Sequence, residues 1–201
     1  MFDVIVSFDK NTFGIGWSND LPWHFKKDLQ WFYKITTSKK DTNQYDNILI
    51  VGIKTLLSLP INLKFKNRKI VVVLNKNRGT AIMDTVPSEI KKHILLTASN
   101  FNEAYYKSMM LKHNRIFVIG GETVYKQALK NNHLRYVYVG LFDFPQLTYD
   151  KYFPLNDLDY LKLIETLDKE KTYSIEMKDH TVNTTYSFGK YVLRNNQPLL
   201  F

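Results

Sequence analysis

Cysteine is absent from this sequence of 201 residues. Disulfide bonds, thiol nucleophiles and thiolate metal ligands are therefore excluded. The histidines lie far apart with no paired spacing, at positions 24, 93, 113, 133 and 180, so we expect no metal site. No apolar run approaches membrane-spanning length, and the first residues lack a basic stretch followed by an apolar one. We expect a soluble cytoplasmic protein without a membrane partner.

The charge balance is basic, with 28 Lys and Arg against 19 Asp and Glu, a net charge of +9. Such a balance suits nucleic acid or small anionic ligands and does not choose between them. The basic residues are scattered along the chain, so most are expected on solvated faces. A hydrophobic content of 44% in a chain of this length is enough for one sizeable core, and one domain is expected.

One stretch, Leu21 to Phe32, combines helical periodicity with a misplaced charge. If a helix begins just after Trp23, one face carries Phe25, Asp28, Trp31, Phe32 and Ile35. Asp28 is the only polar member of that face, and burying a carboxylate is costly unless it is paired or used. The alternative is that Asp28 sits in the first turn only to complement the helix dipole.

The rest of the chain alternates strands with helices. Buried strands are predicted at residues 2–7, 48–51, 70–74, 94–96, 115–119 and 136–141, with helices at 56–59, after Asn100, and at 122–129. This alternation predicts a parallel sheet, whereas residues 161–193 show strand patterns with no helix between them. The predicted fold is α/β, with one domain over residues 1–194, a mostly parallel central sheet, an antiparallel C-terminal edge and helices on both faces. Residues 195–201 are predicted to be a tail.

Two glycine turns follow predicted strands and open predicted helices, one at Gly52-Ile53-Lys54-Thr55 and one at Gly120-Gly121. Each could offer backbone N–H groups to a phosphate. Ile53 beside Lys54 rules out the phosphate-loop pattern, and the full Rossmann spacing is missing. A glycine pair after a strand also occurs as a simple tight turn. Two such sites in one sheet nevertheless suit a ligand with two phosphates, such as a nicotinamide dinucleotide.

Several short motifs occur in a characteristic order. They are Gly14-Ile15-Gly16, Asn19-Asp20-Leu21-Pro22-Trp23, Gly52-Ile53-Lys54-Thr55, Asn67-Arg68-Lys69, Gly120-Gly121 and Asp150-Lys151-Tyr152-Phe153-Pro154. In this order the chain resembles dihydrofolate reductase, from Val4 to about Leu193. The resemblance implies hydride transfer from NADPH to C6 of 7,8-dihydrofolate with protonation of N5, giving 5,6,7,8-tetrahydrofolate. It also implies binding of antifolate inhibitors.

The resemblance assigns the substrate side residue by residue. Asp28 matches the acid that binds the pteridine amino group and ring nitrogen, Trp23 the tryptophan that holds an ordered water, and Leu21 a position in the mobile lid. The remaining substrate positions are Ile5 and Ile119 (backbone carbonyls), Leu29, Phe32 and Leu59 (apolar walls), Arg68 (the glutamate carboxylate), Val6 and Val139. At the last position the family has a threonine whose hydroxyl bonds the acid.

The cofactor side is implied in the same way. Gly14, Ile15 and Gly16 match the lid over the nicotinamide, and Lys54 and Thr55 match the pyrophosphate contacts. The other cofactor positions are Ser7, Asn75, Lys76, Arg78, Gly120, Gly121, Glu122, Thr123, Val124 and Tyr125, with Lys76 or Arg78 expected at the 2′-phosphate.

The chain departs from the family pattern at Ile53, Leu56, Asn67 and Val139. Three alternatives therefore stay open: a folate-binding homologue with weak or no catalysis, a pyrimidine reductase of riboflavin synthesis, and a nucleic-acid-binding module built around Lys64 to Arg78. Two single-residue alternatives also stay open. Arg68 could belong to a solvated charge run, and Trp31 or Phe32 could be plain core.

Overall fold

The computed structural model describes residues 1–39, 45–59, 65–74, 79–177 and 181–194. The chain divides into two compact units, one made of residues 1–3 and 34–134 and the other of residues 4–33 and 135 onward. Four predicted features lie outside the described residues: the cofactor positions Asn75, Lys76 and Arg78, and the tail at 195–201.

The first unit alternates strands and helices. Its elements are β3 (Asn47–Gly52), α2 (Ile53–Ser58), β4 (Arg68–Val73), α3 (Gly79–Asp84), α4 (Ser88–Lys91), β5 (Ile94–Ala98), α5 (Phe101–Met109), β6 (Ile116–Val118) and α6 (Glu122–Leu129). The strand order is β5-β4-β3-β6, and each neighbouring pair is parallel. β3 and β6 are almost wholly buried, as continuous apolar runs in parallel sheets are.

Hydrogen bonds of Asn100 and Glu103 account for the start of α5. The Asn100 side chain accepts a bond of 2.9 Å from the Glu103 N–H and so caps α5 as predicted, while Glu103 Oε2 accepts from the Ser99 N–H at 2.7 Å. The hydrogen bond from Lys107, and after it those from Ser99, lower the pKa of Glu103 to about 2. The short helix α3 is missing from the predicted elements, because a Gly-Thr-Ala-Ile-Met-Asp run is too short to show helical periodicity.

The second unit contains the antiparallel strands. It contains all or most of β1 (Phe2–Asp9), β2 (Gly14–Gly16), α1 (Lys26–Thr37), β7 (Leu134–Asp143), β8 (Lys151–Tyr152), a 3-10 turn (Leu158–Tyr160), β9 (Leu161–Glu176) and β10 (Thr181–Leu193). The first residues of β1, the end of α1 from Lys34 and Leu134 belong to the first unit. β10 pairs antiparallel with both β7 and β9. Along β10, Val182, Thr184, Tyr186 and Phe188 are buried while the residues between them are more exposed, the period expected of a strand with one core face.

The strand pairs of the first unit are parallel, and the second unit contains the antiparallel C-terminal strands β7, β10 and β9. The predicted fold class is therefore confirmed. The predicted loop from Asp9 to Asp20 contains the short strand β2, which pairs with β8. No helix among the described residues is long and apolar enough to cross a membrane.

The side chain of Asn47, at the start of β3, makes hydrogen bonds to four groups of the first unit. Its Nδ2 donates to the Thr36 and Ser38 carbonyls at 2.8 and 2.9 Å. Its Oδ1 accepts from Asn114 Nδ2 at 2.8 Å and from the Arg115 N–H at 3.2 Å. The Asn47 side chain is fully buried, so it satisfies carbonyls at the end of α1 that a helix leaves without partners.

Asn47→Ala is expected to lower the free energy of unfolding by about 2–4 kcal/mol, because it leaves several buried polar groups unsatisfied. Urea denaturation followed by circular dichroism measures the change. Asn183→Ala is the matched control, since Asn183 is exposed and its Oδ1 accepts a bond of 2.7 Å from the Ser174 hydroxyl. A change of less than about 0.5 kcal/mol for Asn47→Ala would contradict its role.

Candidate active site

Asp28 is the third residue of α1, and its side chain is turned toward strands rather than toward its own helix. Ser7 Oγ of β1 donates to Asp28 Oδ1 at 2.5 Å, and Tyr186 Oη of β10 donates to the same oxygen at 3.1 Å. Asp28 is only 9% exposed. The alternative in which Asp28 merely complements the helix dipole does not account for these bonds. Ser7 is predicted to lie on the cofactor side, and its hydroxyl donates a hydrogen bond to Asp28.

Aromatic rings pack around Tyr186, one of the two hydrogen-bond donors to this carboxylate. The Tyr186 ring lies 5.0 Å from that of Phe25 and 4.7 Å from that of Phe142, and the Trp23 ring lies 4.9 Å from that of Phe142. Trp23 is 1% exposed, and its indole N–H makes no hydrogen bond of acceptable geometry to any described residue. A buried N–H of this kind is suited to an ordered water, the role implied for Trp23.

Burial and hydrogen bonds set the pKa of Asp28 in opposite directions. Burial raises the pKa of Asp28 from 3.8 to about 6, while Ser7, Tyr186 and Trp23 act in the opposite direction by favouring the ionised form. Burial, and after it the charge of Asp28, raises the pKa of Tyr186 far above the neutral range. Tyr186 therefore stays protonated and acts as a donor, and Asp28 can be ionised at neutral pH.

The expectation that Val139 stands beside Asp28 is wrong. A Cβ built on the neighbouring Gly140 would lie 2.3 Å from Ser7 Oγ and 2.9 Å from Asp28 Oδ1. Because successive residues of a strand point to opposite faces, the Val139 side chain points away from the carboxylate. Sequence reasoning missed both Gly140 and Tyr186. The alternation along β10 was the available signal for Tyr186, since it places that residue on the buried face.

The predicted lid residues lie in and beside β2. Gly14 packs against the ring of Tyr149, whose nearest atom would be 2.1 Å from a Cβ at that position. The Tyr149 hydroxyl donates to Asp9 Oδ2 at 3.2 Å. Gly16 accepts a backbone bond of 3.0 Å from Asp150. Leu21, beyond β2, leaves 43% of its surface exposed, as an apolar residue that contacts a ligand can.

The first unit brings the two predicted glycine turns together, because β3 and β6 are parallel neighbours. The Gly52 N–H donates to the Gly120 carbonyl at 2.7 Å. The Gly120–Gly121 peptide bond is cis, and Gly120 has a φ of 112°, a conformation that favours glycine. A Cβ at Gly121 would lie 2.7 Å from Thr55 Oγ1. The two turns therefore meet at glycines, Gly52 and Gly120, which carry no side chain.

These turns fit the pyrophosphate of a dinucleotide. No side chain caps α6 at Gly121, so its N-terminal turn, with Glu122 and Thr123, keeps the positive end of the helix dipole available for an anion. Val124 and Tyr125 are buried beneath that turn, and a Cβ at Gly120 would touch the Tyr125 ring at 3.1 Å. Lys54 is exposed nearby in sequence, at the start of α2.

Arg68 is fully buried, and the alternative that it belongs to a solvated charge run is wrong. Its Nη1 donates to Thr36 Oγ1 at 2.9 Å, and its guanidinium lies 5.6 Å from the centroid of the Phe65 ring. These contacts fix the orientation of a planar fork, the donor that suits a carboxylate.

The remaining substrate positions are placed as follows. Ile5, Val6 and Ile119 are buried in or beside strands, Phe32 and Leu59 are partly buried, and Leu29 is 43% exposed on α1. The open question about Trp31 is answered by its contacts. Its ring stacks on Phe188 at 5.0 Å and its N–H donates to Asp168 Oδ2 at 3.3 Å, so the partly buried Trp31 packs against β9 and β10.

Strand-glycine-helix turns in an α/β fold, together with a buried acid, are typical of enzymes that bind a nucleotide cofactor. Comparison with known proteins narrows this class. Residues 1–187 match the family model described as dihydrofolate reductase, and the chain belongs to that family. The predicted enzyme class, an oxidoreductase that uses NADPH to reduce dihydrofolate, is therefore confirmed.

Individual relatives agree with the family model. The dihydrofolate reductase of Schistosoma mansoni is 31% identical over 83% of this chain and 84% of its own length. The viral dihydrofolate reductase of Saimiriine herpesvirus 2 is 29% identical over 92% and 87%, respectively. That of Pneumocystis carinii is 28% identical over 74% and 71%. Each likeness therefore extends over most of both chains.

Gly121→Ala is expected to lower the free energy of unfolding by about 1–3 kcal/mol, since the new methyl group overpacks against Thr55. Thermal and urea unfolding measure the effect. Gly52→Ala is the matched control, because a Cβ there would meet no atom closer than 3.4 Å and its φ is −71°. Adding Thr55→Ala to Gly121→Ala should recover part of the loss. Equal stability of Gly121→Ala and Gly52→Ala would refute the close approach.

Proposed function

We propose that Asp28 is the group that binds and orients the pteridine ring during the reduction of dihydrofolate by this protein. One observation carries the assignment. Asp28 is buried and accepts hydrogen bonds from neutral hydroxyls, and no ion pair among the described residues includes it. A buried carboxylate without a cation is costly. A ligand that presents N–H donors or a positive charge would offset that cost.

Asp28 in its ionised form accepts hydrogen bonds from the 2-amino group and ring nitrogen of the pteridine, which fixes the ring and raises the basicity of N5. Solvent supplies the proton to N5 past the lid residues near Leu21. Trp23 holds the ordered water beside the carboxylate through its buried N–H. NADPH, when bound, supplies the hydride.

The cofactor is assigned to the glycine turns. Gly120, Gly121 and the first turn of α6 bind the pyrophosphate through backbone N–H groups, with Lys54 and Thr55 as side-chain donors. Gly14, Ile15 and Gly16 cover the nicotinamide. The 2′-phosphate is assigned to Lys76 or Arg78, and this assignment stays a prediction. We also propose that the protein acts in the cytoplasm, and that diaminopyrimidine antifolates bind to Asp28.

The direct test is the loss of NADPH absorbance when dihydrofolate is added. Steady oxidation supports the proposal. Oxidation with a riboflavin-pathway pyrimidine and none with dihydrofolate would favour the pyrimidine reductase instead. Folate binding without oxidation would indicate a weakly catalytic homologue. A nucleic-acid binder would instead show affinity that falls steeply between low and moderate salt.

Asp28→Asn is expected to lower turnover of dihydrofolate by roughly 10²-fold or more, since a positioned acid or base group is typically worth that much. The measurement is kcat from NADPH oxidation under saturating substrates. Asp84→Asn, which alters an exposed carboxylate in α3, is the matched control. A folded Asp28→Asn protein with wild-type turnover would overturn the assignment.

The same substitution should change the pH dependence of stability. The folded-state pKa of Asp28, about 6, lies above its ordinary value of 3.8, so the folded state binds the extra proton between those values. Stability from this group is full below about pH 4 and falls until about pH 6, by up to about 3 kcal/mol. Asp28→Asn should therefore stabilise the fold at pH 8 and change little at pH 4. Urea midpoints at both values measure this difference, and equal effects would contradict it.

Arg68→Leu is expected to weaken dihydrofolate binding by about 1.5–3 kcal/mol, because a carboxylate loses its charged donor. NADPH affinity and the binding of pteridines without the glutamate tail should stay nearly unchanged. Lys66→Leu is the control on the same segment, since Lys66 is exposed. Equal loss for both ligands, measured by fluorescence titration, would show that Arg68 is structural.

A further inference from the structure

Two hydroxyls converge on one oxygen of the Asp28 carboxylate. Ser7 Oγ donates to Oδ1 at 2.5 Å and Tyr186 Oη donates to it at 3.1 Å. Both donors stand on strands, β1 and β10, whose backbone positions are set by the sheet. Oδ2 takes part in neither bond. The carboxylate is therefore held from one side.

The packing of the Tyr186 ring places its hydroxyl for this hydrogen bond. Its ring is fully buried and contacts Phe25 at 5.0 Å, Phe142 at 4.7 Å and Tyr173 at 6.4 Å. These are ring contacts, and a buried phenol needs a polar partner for its hydroxyl. Among the described residues, Asp28 is the hydrogen-bond partner of that hydroxyl. Packing fixes the ring, and the bond to Asp28 satisfies its polar end.

Gly140 gives the Ser7 hydroxyl its place. A Cβ at Gly140 would lie 2.3 Å from Ser7 Oγ and 2.9 Å from Asp28 Oδ1. Any side chain at position 140 would force the Ser7 hydroxyl to rotate, and rotation breaks its bond to the carboxylate. We call Ser7 and Tyr186 the hydroxyl pair, and Gly140 is the residue that leaves space for the first of these hydroxyls.

We propose that Ser7 and Tyr186 are positioning residues that hold Asp28 through Oδ1 and present Oδ2 to the N–H donors of a pteridine or diaminopyrimidine, with Gly140 making room for Ser7. The proposal rests on the role proposed above for Asp28. Neither hydroxyl contacts the reacting atoms. Each acts on the ligand through the orientation and ionisation of the carboxylate.

Losing a donor to the ionised form should raise the pKa of Asp28. Other groups around the site stay the same in each variant. From α1, Lys27 pairs with Asp168 of β9 at 2.6 Å and donates to the Tyr173 hydroxyl at 2.6 Å. Trp23 supplies the remaining stabilising contact. We therefore expect Ser7→Ala and Tyr186→Phe each to raise the pKa of Asp28 by about one unit.

The test is a carbon-13 NMR titration of the Asp28 carboxyl in the protein without ligands, together with the pH dependence of diaminopyrimidine affinity. Both substitutions should move the carboxyl titration upward by about one pH unit. Below the new pKa, inhibitor binding should weaken by about tenfold relative to wild type. Tyr173→Phe is the matched control, because it removes a phenol from the same cluster that is not bonded to Asp28. It should leave the titration in place.

A double-substitution cycle tests the place of Gly140. Gly140→Ala should release the Ser7 hydroxyl and raise the pKa of Asp28 about as much as Ser7→Ala does. In the Ser7→Ala background the same change should add little, because the hydroxyl it displaces is gone. Fully additive shifts would overturn this part of the inference. Circular dichroism confirms that each variant is folded before titration.

The two levels of the hypothesis can fail separately. If the wild-type protein reduces dihydrofolate and the titrations of Ser7→Ala and Tyr186→Phe superimpose on wild type, the inference about the hydroxyl pair is overturned. If both titrations shift and the wild type does not oxidise NADPH with dihydrofolate, the hydroxyl pair stands and the proposed function fails.

Discussion

A carboxylate held inside an aromatic core is the constraint on which the second unit depends. Asp28 is buried beside Tyr186, whose ring packs against Phe25 and Phe142, and burial raises the pKa of the acid. Burial alone disfavours the ionised form. The hydroxyls of Ser7 and Tyr186 act against it, since hydrogen bonds to a charged group are the stronger kind. Burial is the larger effect and leaves the pKa of Asp28 raised, while the hydroxyl bonds limit how far it rises.

The first unit is governed by a different constraint, the close approach of two backbones. Parallel pairing of β3 with β6 brings Gly52 against Gly120, and Thr55 against Gly121. Side chains at these points would separate the turns. Because the turns are bare, backbone N–H groups can reach a phosphate. Asp28 thus supplies a buried negative charge, whereas the glycine turns leave space for a phosphate to reach the backbone.

Much of this arrangement could be predicted from the sequence. Periodicity placed Asp28 on the buried face of α1, and the strand-glycine-helix order identified both turns. The neighbours of Asp28 could not be predicted as well. The resemblance implied Val139 as the position beside the acid, and the geometry points to Gly140. A shift of one residue along β7 selects the opposite face of the strand. Tyr186 lies 158 residues beyond Asp28, a pairing that only the antiparallel register of β10 creates.

The charge of Asp28 also links function to stability. A pKa of about 6 in the folded state means that the ionised acid, which the ligand requires, makes the folded state less stable at neutral pH than the protonated acid would. Functional sites often carry such a cost, which is met elsewhere in the structure. Here the hydroxyl pair reduces the cost directly at the carboxylate. A stronger donor, such as a lysine, would lower the pKa further but would also neutralise the charge that binds the pteridine. Neutral hydroxyls stabilise the anion without competing for it, which is the physical reason that Ser7 and Tyr186 suit this position.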